Sequence, residues 1–206
     1  TNYIGGLIGY SYYAANATCY ATGAVTGNDY VGGLIGYSDN GSITYSWASG
    51  AVKGRHFTGG LVGYDYKTII TKCRATGNVT ATGFYTGGLI GYAYSAATSN
   101  SYATGKVAGQ YYAAGLAGYA YSGSVTNCYA AGKVTGKTYY TGGLLAANYA
   151  GRITSSYWDK QTTAQAKSAG GTGLTTAYMK RKVYYKGWDF TKIWTIKEKY
   201  TYPTLR

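Results

Sequence analysis

The phrase Gly-Gly-Leu-Ile-Gly-Tyr recurs, with small variations, over the first three quarters of the chain. Its leucine falls at Leu7, Leu34, Leu61, Leu89, Leu116 and Leu144, at spacings of 27, 27, 28, 27 and 28 residues. A fixed period of this size marks a repeat architecture and overrides local propensity. Twelve residues after each leucine stands Cys19, Ser46, Cys73, Ser101, Cys128 or Ser156. Glycine follows at sixteen, from Gly23 to Gly132, and valine at eighteen, from Val25 to Val134. The extra residue of the longer units falls near Gly83 and Thr138, so insertions gather in one loop.

Each unit holds short alternating segments and turn residues but no helical period. Three short strands per unit predict an all-β fold: a β-solenoid (β-helix) of about six coils, with equivalent residues stacked at the strand spacing of about 4.8 Å. No proline precedes Pro203, as a stack of mutually paired coils requires. A β-propeller is the alternative, but its blades usually need about 40 residues or more.

Stacking turns the sequence into columns. The leucines are expected to face inward, with Asn16, Ile43, Ile70, Thr98, Val125 and Ile153 nine residues later, and Ala21, Ala48, Ala75, Ala103 and Ala130 fourteen later. Most of the 28 tyrosines fall in columns of the other parity. Tyr10, Tyr37, Tyr64, Tyr92 and Tyr119 form one ladder, and Tyr66, Tyr94 and Tyr121 belong to a second, which Asp39 interrupts. A third runs through Tyr3, Tyr30, Phe57, Tyr85, Tyr112 and Tyr140, and a fourth through Tyr20, Trp47, Arg74, Tyr102, Tyr129 and Tyr157. The column Ile8, Ile35, Val62, Ile90, Ala117 and Leu145 is assigned to the outward tyrosine face, making a long apolar strip. The 33 glycines are read as coil turns and tight contacts. The three cysteines lie on alternate coils, about 10 Å apart, too far for a disulfide. No ligand spacing for a metal is present, and no cofactor is implied.

The phrase Gly-Gly-Leu-Ile-Gly-Tyr, with Ser101-Tyr-Ala-Thr-Gly-Lys-Val107, resembles the GLUG motif repeat of bacterial surface and secreted proteins. The resemblance covers residues 1–158. Residues 159–206, with Gly187-Trp-Asp-Phe190 and Tyr202-Pro-Thr-Leu-Arg206, are similar to the segment that closes such arrays, and are expected to form a small α+β cap. The resemblance implies an extracellular or cell-surface, adhesin-like setting and no catalytic residues. Residues 174–182 read as a short helix with a threonine N-cap and basic residues in its last turn. Trp188, Phe190, Ile193, Trp194 and Ile196 are expected to plug the final coil. At the other end Thr1, Asn2, Tyr3 and Ile4 form an assembly edge, a strand edge open to pairing by a neighbouring domain or subunit.

Chemistry is sparse. The chain has one histidine, His56, in the variable loop, and six carboxylates. Asp39 and Asp65, on neighbouring coils, are the one pair resembling glycosidase spacing. The formal charge is +13, yet no nucleic-acid motif accompanies it, and no apolar run is long enough to span a membrane. The expected function is non-enzymatic binding of a polysaccharide or cell-surface glycan by the aromatic ladders. The alternatives are a self-assembling homo-oligomer or filament and, through the hydroxyl column Thr22, Ser49, Thr76 and Thr104, ice binding.

Overall fold

Each 27- or 28-residue unit closes one coil, and the coils stack in parallel and in register. The computed structural model describes residues 2–137 and 140–206. Five parallel sheets run along the stack. In the second coil their strands are Asp29–Gly32 (sheet I), Ile35–Asp39 (II), Ser42–Thr44 (III), Trp47–Ala48 (IV) and Val52–Gly54 (V). Register is one to one: Val52 pairs with Val79, Ile70 with Ile43, and Tyr64 with both Tyr37 and Tyr92.

The sequence predicts three strands per coil, and there are five. The predicted segments are cut by bends within them. At Gly33-Leu34 the chain turns so sharply that the N–H groups of Leu34 and Ile35 both donate to the Leu61 carbonyl, at 2.9 and 3.0 Å. The alternation of faces restarts there. This corrects the placement of the isoleucine column: Ile35, Val62, Ile90, Ala117 and Leu145 are buried in the same core as the leucines. The apolar strip expected outside therefore lies inside.

Of the two jobs expected of the glycines, the tight contacts are present, while the turns fall mostly to other residues. Left-handed backbone recurs at three positions per coil, and non-glycine residues hold most of them: Asn40, Lys67 and Ser95 at one corner, Tyr45, Lys72 and Asn100 at another, and Tyr30, Phe57, Tyr85 and Tyr112 within sheet I. Each costs about 1–2 kcal/mol relative to right-handed backbone, so the ladder pairing on both sides must hold it. Glycine is needed instead where backbones touch. A Cβ on Gly60 would lie 2.1 Å from the Gly88 carbonyl oxygen and 3.0 Å from the Ala75 Cβ. The glycine column thus packs directly on the alanine column. A separate valine cluster, Val25, Val31, Val52 and Val79, fills the corner between sheets V and I.

The cysteines are free thiols, with Cys73 and Cys128 buried. Burial pushes both thiols up to about 12, so they stay protonated. In this column the backbone N–H groups of Cys19, Cys73 and Cys128 donate to the hydroxyls of Ser46, Ser101 and Ser156 at 3.0, 3.0 and 3.1 Å. Asn16, also inside, donates to Ser11 Oγ at 2.8 Å.

The two ends differ. After Asp159 the chain runs back across the last coil. The carbonyls of Thr163 and Lys167 accept from Val134 and Gly143, and Ser168 Oγ accepts from Leu144 and Leu145. Thr172–Leu174 then adds a strand to sheet IV beside Tyr157–Asp159. This strap, not the aromatic cluster, covers the final coil. The expected plug instead lies on the flank: Trp188, Phe190 and Trp194 pack with Met179 and Tyr185 on Tyr102, Tyr129 and Tyr157 of sheet IV. The helix is shorter than predicted, Thr176–Met179, with Thr175 as its N-cap and no basic residue in its last turn. A 3-10 turn, Lys182–Tyr184, and an antiparallel pair, Trp194–Thr195 with Thr204–Leu205, complete the α+β cap. In the first coil Leu7 is 53% exposed, whereas Leu34, Leu61, Leu89, Leu116 and Leu144 are fully buried. Of the predicted assembly edge, Asn2 and Tyr3 are exposed and Ile4 packs on the valine cluster, while Thr1 lies outside the described residues. Thr138, the second insertion point, also lies outside them.

Candidate functional site

Two tyrosine columns predicted separately meet along one seam between sheets I and II. In sheet I the strands pair as Asp29 with His56 and Val31 with Thr58, and the left-handed Tyr30 and Phe57 stand between those pairs. The left-handed residue interrupts the pairing on both strands alike, and its ring lies against the rings of sheet II. In sheet II the rings of Tyr37, Tyr64, Tyr92 and Tyr119 stack at 4.8, 5.0 and 5.1 Å with interplanar angles of 10°, 8° and 1°. Phe57 stands edge-on to Tyr64 and Tyr92, and Tyr85 to Tyr92 and Tyr119, at 5.0 to 5.9 Å. The two columns interlock as a herringbone. Edge-to-face and offset contacts of this kind contribute about 0.5–1.5 kcal/mol per pair beyond burial.

The geometry decides what these rings can offer. Each ring face within the ladder is covered by the next ring, so the outward surface consists of ring rims and phenol hydroxyls. Tyr37, Tyr64, Tyr92 and Tyr119 are half-buried, and Tyr10 at the end of the row is exposed and donates to Asp39 Oδ2 at 3.0 Å. Burial pushes Tyr37 and Tyr92 up to about 12, and their phenolic neighbours push in the same direction. The row presents phenol hydroxyls as donors, one per coil. The second predicted ladder also forms: Tyr66, Tyr94, Tyr121 and Tyr149 stack at 5.1, 5.0 and 5.0 Å.

Sequence reading missed a further ladder. His56 stacks on Phe84 at 5.5 Å and Phe84 on Tyr111 at 4.8 Å. The signal was available, since all three stand five residues before a repeat leucine. His56 Nδ1 accepts the Phe84 N–H at 3.0 Å. The extra residue of that unit is Gly83, where a Cβ would stand 2.4 Å from the imidazole.

The suggested carboxylate pair does not assemble. Asp65 aligns with Ser38, and Asp39 with Tyr66, so the two side chains leave opposite faces of sheet II. Asp65 is fully buried, its Oδ1 accepting from the Thr68 N–H at 3.0 Å and its Oδ2 without a partner. Desolvation pushes its carboxyl up to about 7, against the opposing Thr68 hydrogen bonds. Among the described residues no three His, Cys, Asp or Glu side chains converge, and no helix is long and apolar enough to cross a membrane.

Five in-register sheets around a core of leucine, isoleucine and alanine columns, bearing aromatic columns at one coil's rise, define a parallel β-solenoid repeat module. Three of its units, residues 27–53, 82–108 and 109–135, match the GLUG motif. The unmatched unit between them carries Asp65 in a column of small residues and Arg74 in a column of aromatics. No curated protein and no solved structure matches the chain. Repeats and fold together fit a surface- or adhesin-like module.

Proposed function

We propose that the protein is a non-enzymatic adhesion module acting outside the cell, and that it holds a polysaccharide along the tyrosine seam. The observation that carries this is the row of phenol groups on Tyr37, Tyr64, Tyr92 and Tyr119, one per coil on one face. An extended glycan is a periodic array of hydroxyls, and a periodic row of donors complements it. Recognition is then by hydrogen bonds from ring rims, because the ring faces that a sugar would stack on are occupied by neighbouring rings. The separation of Asp39 from Asp65, and the use of His56 Nδ1 in a backbone hydrogen bond, support the non-enzymatic reading.

The test removes the hydroxyls and keeps the rings. Replacing Tyr37, Tyr64 and Tyr92 with Phe leaves the ladder stacked, so circular dichroism and melting should change little. Loss of three hydrogen bonds at about 1 kcal/mol each should release the protein from insoluble glycans it otherwise binds. Retention equal to that of the parent chain would overturn the seam as the binding face.

A further inference from the structure

Sheet V carries a second candidate site, away from the seam. Across the third to fifth coils its outward residues are small, Thr80, Ala108 and Thr135. They form the floor shared by two adjoining hollows of about 350 and 290 Å³. Lys106 and Lys133, one residue before the valine column on neighbouring coils, stand on one wall, and Lys137 stands on the other. All three are exposed. No acidic side chain lines either hollow, and between Asp65 and Asp159 the chain contains no Asp or Glu. The groove follows the stacking direction, so its lysines repeat at the rise of one coil, about 4.8 Å.

We propose that this groove binds a linear polyanion, specifically a polysaccharide bearing carboxylate or sulfate groups. A cationic wall without neighbouring carboxylates attracts anionic ligands and leaves its lysines uncompensated until one binds. Its length over three coils suits a chain better than a single ion. The floor of methyl and hydroxyl groups suits sugar rather than nucleic acid, since single-stranded nucleic acid is held by stacking bases on aromatic rings and the groove lining has none.

The experiment is calorimetry of the full chain with polygalacturonate, dextran sulfate and neutral dextran. Binding of either charged polymer with no binding of dextran upholds the proposal, and the tighter of the two names the anion. Replacing Lys106, Lys133 and Lys137 with Gln should weaken binding about tenfold or more and lower the salt dependence by about three charges. Replacing Lys186, Lys192 and Lys199 of the cap with Gln removes the same charge elsewhere and should leave the affinity unchanged. Equal loss in both triple variants, dextran binding as tightly as the charged polymers, or tighter binding of single-stranded DNA would each overturn it. The Tyr-to-Phe seam variant should bind these polyanions as the parent does, which separates failure of this site from failure of the seam.

Discussion

One column of the solenoid lives two lives. Tyr20, Trp47 and Arg74 occupy it in the first three coils, and Tyr102, Tyr129 and Tyr157 in the last three. The strands are the same and the stacking is the same: Tyr20 lies on Trp47 at 5.1 Å and Tyr102 on Tyr129 at 5.0 Å. Yet Tyr20 is 62% exposed and Tyr129 is 1% exposed. The cap makes the difference, because it folds along the flank and takes the last three rungs as its own core. A position in the repeat therefore fixes direction, while the chain beyond the repeats decides what is buried.

Breaking the covered half should cost most. Tyr129 donates to the Pro203 carbonyl at 2.7 Å and touches the rings of Trp188, Trp194 and Tyr202. Tyr129→Ala should lower the unfolding free energy by about 3–5 kcal/mol in denaturant titration, and expose residues 175–206 to limited proteolysis first. A cap that stays protease-resistant would mean the flank contact is not what holds it.

An interior column sharpens the comparison, because there no cap intervenes. Asp65 stands where other coils have Ser11, Ser38, Ala93, Ala120 or Asn148. Its carboxyl titrates near 3.8 when unfolded and is raised to about 7 when folded. The folded state thus binds the extra proton between those values. Stability is complete below about pH 4, falls as pH rises through about 7, and is level above. A shift of roughly three units corresponds to at most about 4 kcal/mol. Asp65→Asn should abolish that part of the pH dependence and be the more stable protein at pH 8, read as melting temperature against pH. Parallel profiles for the two proteins would place the carboxyl in water.

The free half of the column should respond least. Tyr20→Ala removes one stacked partner from a largely solvated ring and should cost under about 1 kcal/mol in the same titration. A loss comparable to that at Tyr129 would show that ladder stacking, rather than the cap, sets the energy of this column.

Much of the fold was legible because a register repeats. Leucine spacing alone gives the coil length, the in-register stack, the ladders and the impossibility of a cysteine bridge. What repetition hides is the path within a coil. The bend at Gly33-Leu34 restarts the alternation, so a parity argument carried through it sends Ile35 to the wrong face. Left-handed corners held by Asn40, Lys67 or Tyr30 escape a reading that looks to glycine for turns. The seam needs contact between sheets I and II, and the cap's flank position needs tertiary contacts that no periodicity encodes. The groove on sheet V was half visible, in the shared column of Lys106 and Lys133, but its floor is defined by how little Thr80, Ala108 and Thr135 project.

The cysteine–serine alternation has a consequence for how the solenoid can be lengthened, shortened or pulled apart. Each serine hydroxyl ties its coil to the one before it, joining first to second, third to fourth and fifth to sixth. Cys19, Cys73 and Cys128 stand 54 and 55 residues apart, so the chemical unit is a couplet of coils. Removal of one couplet preserves every such tie, whereas removal of a single coil sets like against like. The couplets are joined to one another through the thiols, Cys73 Sγ and Cys128 Sγ donating to the Ile43 and Thr98 carbonyls of the coil before, and because S–H is a weak donor the weaker joints of this column fall between couplets.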